Sequence, residues 1–341
     1  MAQRRVPRGS PVRVLQSYIG PGPRTNPYIV QLHDRLAATP GVAVRGFSWR
    51  TALLGRYDVF HAHWPEALIE RRGRLSTLAR TSLYALFLAR ASVQGIPIVR
   101  TVHNIELPSG IGRIERLLLA WTDRLTRMRI LLNEFTPVPP EAATMLIEHG
   151  HYRDWFARFP QAAPARGRLL FFGKVRRYKN VEGLLRVFRR LADPTASLRI
   201  VGSPSSAELA QSLRSAAGDD PRVGLALDFV DDAELVREAG EAQVVVLPYP
   251  EMHNSGSVLA ALSLDRAVLV PDNAFNRALA DEVGSAWVIR FAGELQPSDL
   301  ERALAETAAQ QGRPDLGRRE WGETGRRHLT AYRIAIRRRR G

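Results

Sequence analysis

The chain has 341 residues, 45% of them apolar and 24% charged, a globular composition that argues against disorder and fits two domains. It contains no cysteine, which excludes a disulfide scaffold, thiolate metal sites, iron–sulfur ligation and a catalytic thiol. Forty-nine Lys and Arg against 34 Asp and Glu give a net charge of +15, concentrated in residues 1–165 with 22 Arg and 11 acids; such a field favours nucleic acid, anionic lipid or a phosphorylated substrate.

Residues 12–16 (VRVLQ) form a short apolar run that ends in a loop rich in Gly and Pro. A helix is predicted next, with Asn26 as N-cap, Pro27 at its first position, and Ile29, Leu32 and Leu36 at helical spacing. Residues 42–47 and 59–62 read as strands, 74–93 as an amphipathic helix, 96–102 as a strand, 114–127 as a helix and 130–132 as a short strand. The longest wholly apolar run, residues 83–89, is far short of the ~20 residues that span a bilayer. The start, MAQRRVPRGS, has no apolar stretch behind its charges, so no secretory signal is expected and the cytoplasm is the expected compartment.

Residues 160–168 read as an interdomain linker. A second alternating series follows: strand 169–172, loop 173–180, helix 181–191, strand 198–201, helix 207–217 and strand 223–230. It continues with helix 232–241 opened by an Asp231/Glu234 capping box, strand 244–248, helix 257–264, strand 267–271 and helix 275–282. Residues 333–340 read as a helical extension with a basic tail. Alternating strands and helices imply parallel sheets and an α/β class, with domains at 1–160 and 161–315 and a C-terminal helix and tail at 316–341.

Residues 71–129 hold 11 Arg and three acids, interleaved with Leu, Ala, Tyr, Phe and Trp, a pattern suited to a surface helix lying on anionic lipid headgroups. Nucleic acid is not the expected partner, because no helix-turn-helix, zinc-finger or RNP-like pattern is present.

Forty-seven of the 49 cations are Arg; the two lysines, Lys174 and Lys179, both lie in FFGKVRRYKN. Gly173, Lys174 and Lys179 follow a predicted strand, and a helix begins near Asn180. Ligands of open α/β sheets bind at the carboxyl ends of strands, and a helix N-terminus there offers amides and a positive dipole end to a pyrophosphate. Compact ammonium groups add charge against a diphosphate leaving group. In the later segment LPYPEMHNSGSVLAALSLDRAVLVP, Glu251 has the chemistry to take sugar or ribose hydroxyls. Asn254, Ser255, Gly256 and Ser257 make a small-residue entry to a helix that lets phosphate oxygens approach the backbone.

Together these motifs resemble the GT-B glycosyltransferases, whose fold is two Rossmann-like α/β domains facing across a cleft. The resemblance rests chiefly on residues 169–272. It implies a donor set of Gly173, Lys174, Lys179, Asn180, Val230, Tyr249, Glu251, Asn254, Ser255, Gly256 and Ser257. Lys174 and Lys179 would grip the diphosphate, Glu251 would touch the donor sugar, and the backbone near Phe229 and Val230 would face the base. The commonest retaining members carry a second Glu where this chain has Leu259, Ala260 and Ala261. The NSGS segment, with HAHWPE in the first half, looks more like the inverting GDP-mannose β-mannosyltransferases of xanthan-type exopolysaccharide synthesis, which use a lipid-diphosphate-linked acceptor.

The first half is then expected to bind a lipid-linked or saccharide acceptor. Arg24 and Asn26 follow the first strand; His63 and Trp64 follow the third, with His61 on the same side as His63 and the Trp64 ring available for sugar stacking. An inverting transfer needs a base for the acceptor hydroxyl, and Glu66 and His103 both have that chemistry, the choice between them staying open. There is no Asp-x-Asp motif, and two lysines can do the charge work of a magnesium ion, so no metal cofactor is expected. The expected place of action is the inner face of the plasma membrane, as a peripheral protein. The alternatives are a retaining GT-B enzyme using a UDP-sugar, a sugar-nucleotide epimerase of the same shape, and a non-enzymatic basic protein that binds lipid or nucleic acid.

Overall fold

The computed structural model describes residues 10–22, 25–69, 74–105 and 111–338. The chain forms two compact units, one of Met1–Gly150 with Glu320–Gly341, the other of His151–Arg319. The first unit starts with strand β1 (Val12–Gln16), helix α1 (Pro27–Ala37), strand β2 (Val42–Arg45), helix α2 (Trp49–Leu54) and strand β3 (Val59–Ala62). Helix α3 (Arg74–Gln94), strand β4 (Ile98–Val102), helix α4 (Arg113–Leu125), strand β5 (Thr126–Leu131) and strand β6 (Thr144–Leu146) follow. The strands form one parallel sheet in the order β2-β1-β3-β4-β5-β6.

The predicted cap is present: the Asn26 side chain accepts the Tyr28 amide at 2.9 Å, and α1 buries Tyr28, Ile29, Leu32 and Leu36 along one stripe. All four residues of β3 are buried, as expected of a central parallel strand covered on both faces. Phe60, Tyr84, Phe87, Leu88 and Ile98 are the centre of the core on one side.

In the second unit, helix α5 (Arg153–Phe156) precedes strand β7 (Arg168–Phe172), helix α6 (Val181–Phe188), strand β8 (Ser197–Val201), helix α7 (Ala207–Ala217), strand β9 (Val223–Ala226) and helix α8 (Asp232–Glu241). It ends with strand β10 (Val244–Val246), helix α9 (Gly256–Ser263), strand β11 (Ala267–Pro271), helix α10 (Ala274–Val283), strand β12 (Val288–Phe291) and helix α11 (Pro297–Thr307). Its parallel sheet runs β12-β11-β10-β7-β8-β9. The last helix, α12 (Thr324–Arg338), belongs to the first unit.

The division falls at residue 150, ten residues before the predicted linker. Residues 320–338 are not a separate tail. The amphipathic α12 buries Leu329, Ala331, Tyr332 and Ala335 against α1 and the strands of the first sheet, and that burial assigns it. The predicted strand 223–230 stops at Ala226, which leaves Phe229 and Val230 in the loop beyond. Asp231 caps α8 by accepting the Glu234 amide at 2.9 Å, while the Glu234 carboxylate pairs with Arg237 instead of closing the box.

In each sheet the strand order reverses once, between β1 and β3 in the first and between β7 and β10 in the second. A crevice opens at such a reversal because the flanking connections leave in opposite directions, and ligands of open α/β sheets bind there.

Candidate functional site

The second unit gathers the loops after β7 and β10. Gly173 follows β7 with a φ of 104°, a region L side chains rarely adopt, and a Cβ there would lie 3.3 Å from Ser257 Oγ and 3.7 Å from Lys179 Nζ. Gly173, Lys179 and Ser257 therefore meet at one point. Arg177–Lys179 makes a single 3-10 turn, and Asn180, left-handed at φ 52°, redirects the chain into α6. Its amide lies over Gly183, where a Cβ would fall 2.3 Å from Asn180 Oδ1.

The two lysines are unequal. Lys174 is exposed, whereas Lys179 is 8% exposed and its Nζ stands 4.8 Å from the Tyr249 ring centroid, a cation–π contact. Burial, then Arg176 and Lys174, lower the Lys179 pKa to about 8. No carboxylate of the described residues forms an ion pair with it. The Tyr249 hydroxyl is buried beside Ser257 and Ser255 and makes no hydrogen bond of normal geometry. Ser255 caps α9, its Oγ accepting the Val258 amide at 3.4 Å, with Gly256 at the first helical position. Asn273 Nδ2 donates to the Met252 carbonyl at 2.9 Å, anchoring the loop that carries Asn254. Glu251 is exposed, Val230 is half-buried, and Phe229 is 64% exposed. A buried ammonium group beside a capped helix start is an environment for an anion.

The first unit presents a different surface. Gln16 ends β1, His63 follows β3 and His103 follows β4, three neighbours across the reversal point. His63 Nε2 lies 3.2 Å from Gln16 Oε1, and its Nδ1 lies 3.2 Å from His103 Nε2. Trp64 stacks on His103 at 4.1 Å between centroids, and Tyr28 meets the same ring edge-on at 5.5 Å. Tyr28 also packs on His149 at 4.3 Å. Below them His61 is wholly buried, with Tyr332 OH at 2.8 Å from Nδ1 and Thr101 Oγ1 at 2.8 Å from Nε2.

Burial keeps these rings neutral. The His63 pKa falls to about 3 and that of His328 to about 4, desolvation first in both, and His61 and His103 are lowered well below their ordinary value for the same leading reason. Glu66 lies in the 3-10 turn Pro65–Leu68; burial raises its pKa, and Arg100 opposes the rise. Among the described residues no hydrogen bond joins its carboxyl to the histidines. Asn26 spends its Oδ1 on the α1 cap, and Arg24 lies outside the described residues. Among the described residues no group of three or more His, Asp or Glu is placed to hold a metal ion.

Sequence reasoning missed Gln16, Tyr28, His149 and Tyr332. Gln16 had a signal, a polar side chain closing an apolar strand. Tyr332 had none, because only the return of α12 brings it to His61.

The Arg-rich stretch is divided in its use. Arg90 donates to the Ala52 carbonyl at 2.5 Å, and Arg129 pairs with Asp123 at 2.8 Å. On α4, Arg113, Arg116 and Arg124 stay exposed beside Ile114 and Leu117, the latter 71% exposed.

No family model matches the chain. It is 45% identical over 328 residues to the GDP-mannose:glycolipid 4-beta-D-mannosyltransferase of Xanthomonas campestris pv. campestris, covering 95% of this chain and 93% of that one. Its fold is similar to that of AviGT4, a glycosyltransferase involved in avilamycin A biosynthesis, with a TM-score of 0.57, 16% identity and coverage of 96% and 98% of the two chains. It is similar also to Anabaena Alr3699/HepE in complex with UDP and glucose, with a TM-score of 0.58, 13% identity and coverage of 96% and 95%. The fold is GT-B, and the expectation of a glycosyltransferase is met. By this identity over nearly its whole length, the chain belongs to the family of the GDP-mannose:glycolipid 4-beta-D-mannosyltransferase.

Proposed function

We propose that the protein transfers a mannosyl group from GDP-mannose to a glycolipid acceptor with a 4-beta linkage, as the Xanthomonas relative is named for doing. The observation that carries this reading is the 45% identity across 95% of the chain, joined to the meeting of Gly173, Lys179 and Ser257 at the reversal point of the second sheet.

In this reading the second unit holds the donor. Lys179 and the first amides of α9 face the diphosphate, with Lys174 adding long-range charge. Asn254, Ser255, Ser257 and Glu251 serve phosphate and sugar hydroxyls, and Val230 lies toward the base. No metal ion is required, because the fixed ammonium and helix dipole are the counter-charge.

The first unit binds the acceptor, with Trp64 and Asn26 near its sugar and the buried His63 behind them, and supplies the base. GDP-mannose carries its leaving group in the α orientation, so a β product calls for inversion. The acceptor oxygen bonds to C1 from the face opposite the diphosphate, and the C1–O bond breaks with its electron pair leaving on GDP. The acceptor proton passes to His103, which is neutral at working pH and sits among the rings at the end of β4. Glu66, with Arg100 as its charged neighbour, stands in the turn beyond β3.

The glycolipid acceptor brings the enzyme to a membrane surface. Among the described residues no helix is long and apolar enough to cross one. Exposed Arg113, Arg116 and Arg124 beside Ile114 and Leu117 on α4 suit peripheral contact with the anionic inner face of the plasma membrane.

The test combines ligand binding and turnover. GDP-mannose in large excess raises the melting temperature, and radiolabelled mannose enters a glycolipid fraction with a β linkage and with EDTA present. A shift with UDP-glucose but not with GDP-mannose, or label that never leaves the nucleotide, overturns the reading.

A further inference from the structure

The row of buried polar groups beneath His103 has more order than packing alone requires. Gln16, His63 and His103 come from three adjacent strands, β1, β3 and β4, at the same end of the sheet. Gln16 is wholly buried and His63 nearly so. The His63 backbone is fixed as well, its amide donating to Ser17 Oγ at 2.9 Å.

The chemistry of each atom sets the direction of the chain. Gln16 Oε1 is an acceptor only, so the ring nitrogen facing it, His63 Nε2, carries a hydrogen. A neutral imidazole has one N–H, so His63 Nδ1 is an acceptor. The nitrogen facing it, His103 Nε2, is then the donor, and the lone pair of neutral His103 lies on Nδ1. The other end of the Gln16 amide lies beside the Tyr332 hydroxyl, which itself contacts His61 Nδ1 at 2.8 Å. Gln16 Nε2 makes no hydrogen bond of normal geometry there.

We propose that Gln16 and His63 are positioning residues that fix the tautomer of His103, holding its proton on Nε2 and its lone pair on Nδ1. The use of that lone pair as the base rests on the mannosyl-transfer reading above; the tautomer itself does not. On transfer, the acceptor proton arrives at Nδ1, and the imidazolium so formed donates from Nε2 to His63, whose own N–H is held by Gln16. The two buried partners therefore stabilise the protonated ring without taking its proton.

Among the described residues, the charged and titratable groups that act on His103 are His63 from the end of β3, Arg100 from β4, Tyr28 from α1 and His149 from the segment before residue 150. His328 of α12 acts on His63. None of these is a carboxylate, so an acidic side chain at position 16 would be a new influence on the pair.

The experiment reads tautomer and rate separately, on the full chain. Imidazole nitrogen shifts of the protein labelled with 15N-histidine, assigned by His103→Asn, are expected to give the Nε2–H form for His103 without any substrate. Gln16→Leu is expected to mix the two tautomers and lower kcat about tenfold to a hundredfold, leaving KM for GDP-mannose within about twofold. Gln16→Glu keeps the acceptor and adds a negative charge; it is expected to retain the Nε2–H form and move the acid limb of the kcat profile to higher pH. An Nδ1–H form in the parent protein overturns the proposal, as does Gln16→Glu reversing the tautomer, since Gln16 would then be the donor. Unchanged nitrogen shifts in Gln16→Leu, with its melting curve cooperative, also overturn it. Correct tautomers without mannosyl transfer would sink the functional reading and leave the positioning role standing.

Discussion

The two units share a layout and differ in chemistry. Each is a parallel six-stranded sheet with one reversal of strand order, and each presents its candidate residues at that reversal. The second unit solves its problem with backbone: a left-handed Gly173, a left-handed Asn180, a capped helix start and one buried ammonium. The first solves its problem with rings: His61, His63, His103, Tyr28, Trp64 and Tyr332 packed edge and face, all uncharged near neutrality. Under the proposed function the contrast matches what each unit would handle. A diphosphate is recognised by fixed amides and a cation, whereas a sugar hydroxyl that must lose a proton is served by a neutral acceptor in a partly dry site.

The sharpest test of this contrast exchanges its effects. His103→Ala is expected to lower kcat about 10²- to 10⁴-fold while leaving the thermal shift by GDP-mannose intact. A matching loss of that shift would erase the distinction between the units. Glu66→Gln is expected to cost far less than His103→Ala in the same assay, because its charged neighbour is Arg100.

The second unit should answer to charge. Lys179→Met is expected to weaken GDP-mannose binding about tenfold to a hundredfold, as a partly buried charge-assisted contact is lost. Lys174→Ala, at an exposed position, is expected to change it by less than about threefold. With a Lys179 pKa near about 8, the ammonium is lost as the pH rises through that value, so KM for GDP-mannose should climb between pH 7 and pH 9. Lys179→Arg should flatten that climb, since guanidinium stays charged.

The first unit should answer to acid. His63 and His328 titrate near about 3 and about 4 in the folded chain but near about 6.5 when unfolded. Below about 6.5 the unfolded chain binds protons that the folded chain does not, so this part of the stability is complete above that value and is lost as the pH falls. Denaturant midpoints at pH 7 and pH 5 should differ by on the order of 2–4 kcal/mol in unfolding free energy. Equal midpoints would mean that the rings are not buried as neutral groups.

The smallest expected effect is steric. Gly183→Ala places a methyl on the Asn180 amide and should destabilise by about 1–3 kcal/mol, read as a lower melting temperature. Gly183→Ala should leave the His103 tautomer unchanged, which separates damage in one unit from damage in the other.

Much of the second unit was legible because its signals are local. A cap, a positive-φ glycine and an alternation of apolar runs act over a few residues, and α7, α8 and β11 fall where their periodicity places them. Elements without such signals were harder. Strand β6 is short and lies at the sheet edge with little burial, and α2 has six residues and one buried position. The paired lysines were visible as a pair, but their inequality was not, since burial of Lys179 depends on Phe171 of β7 and on Tyr249 from the loop after β10.

The amino-acid order by itself determined two α/β series, the glycine–lysine loop, the NSGS helix start and the histidines at strand ends, because each is written in contiguous residues whose backbone preferences and spacing are short-range. Only the tertiary structure decided that α12 returns to the first sheet, that Tyr332 reaches His61, and that Gln16, His63 and His103 join in one hydrogen-bonded row. Those contacts span separations of up to 271 residues. They are set by which apolar face each element can bury, a choice that belongs to the packed molecule and not to any stretch of chain.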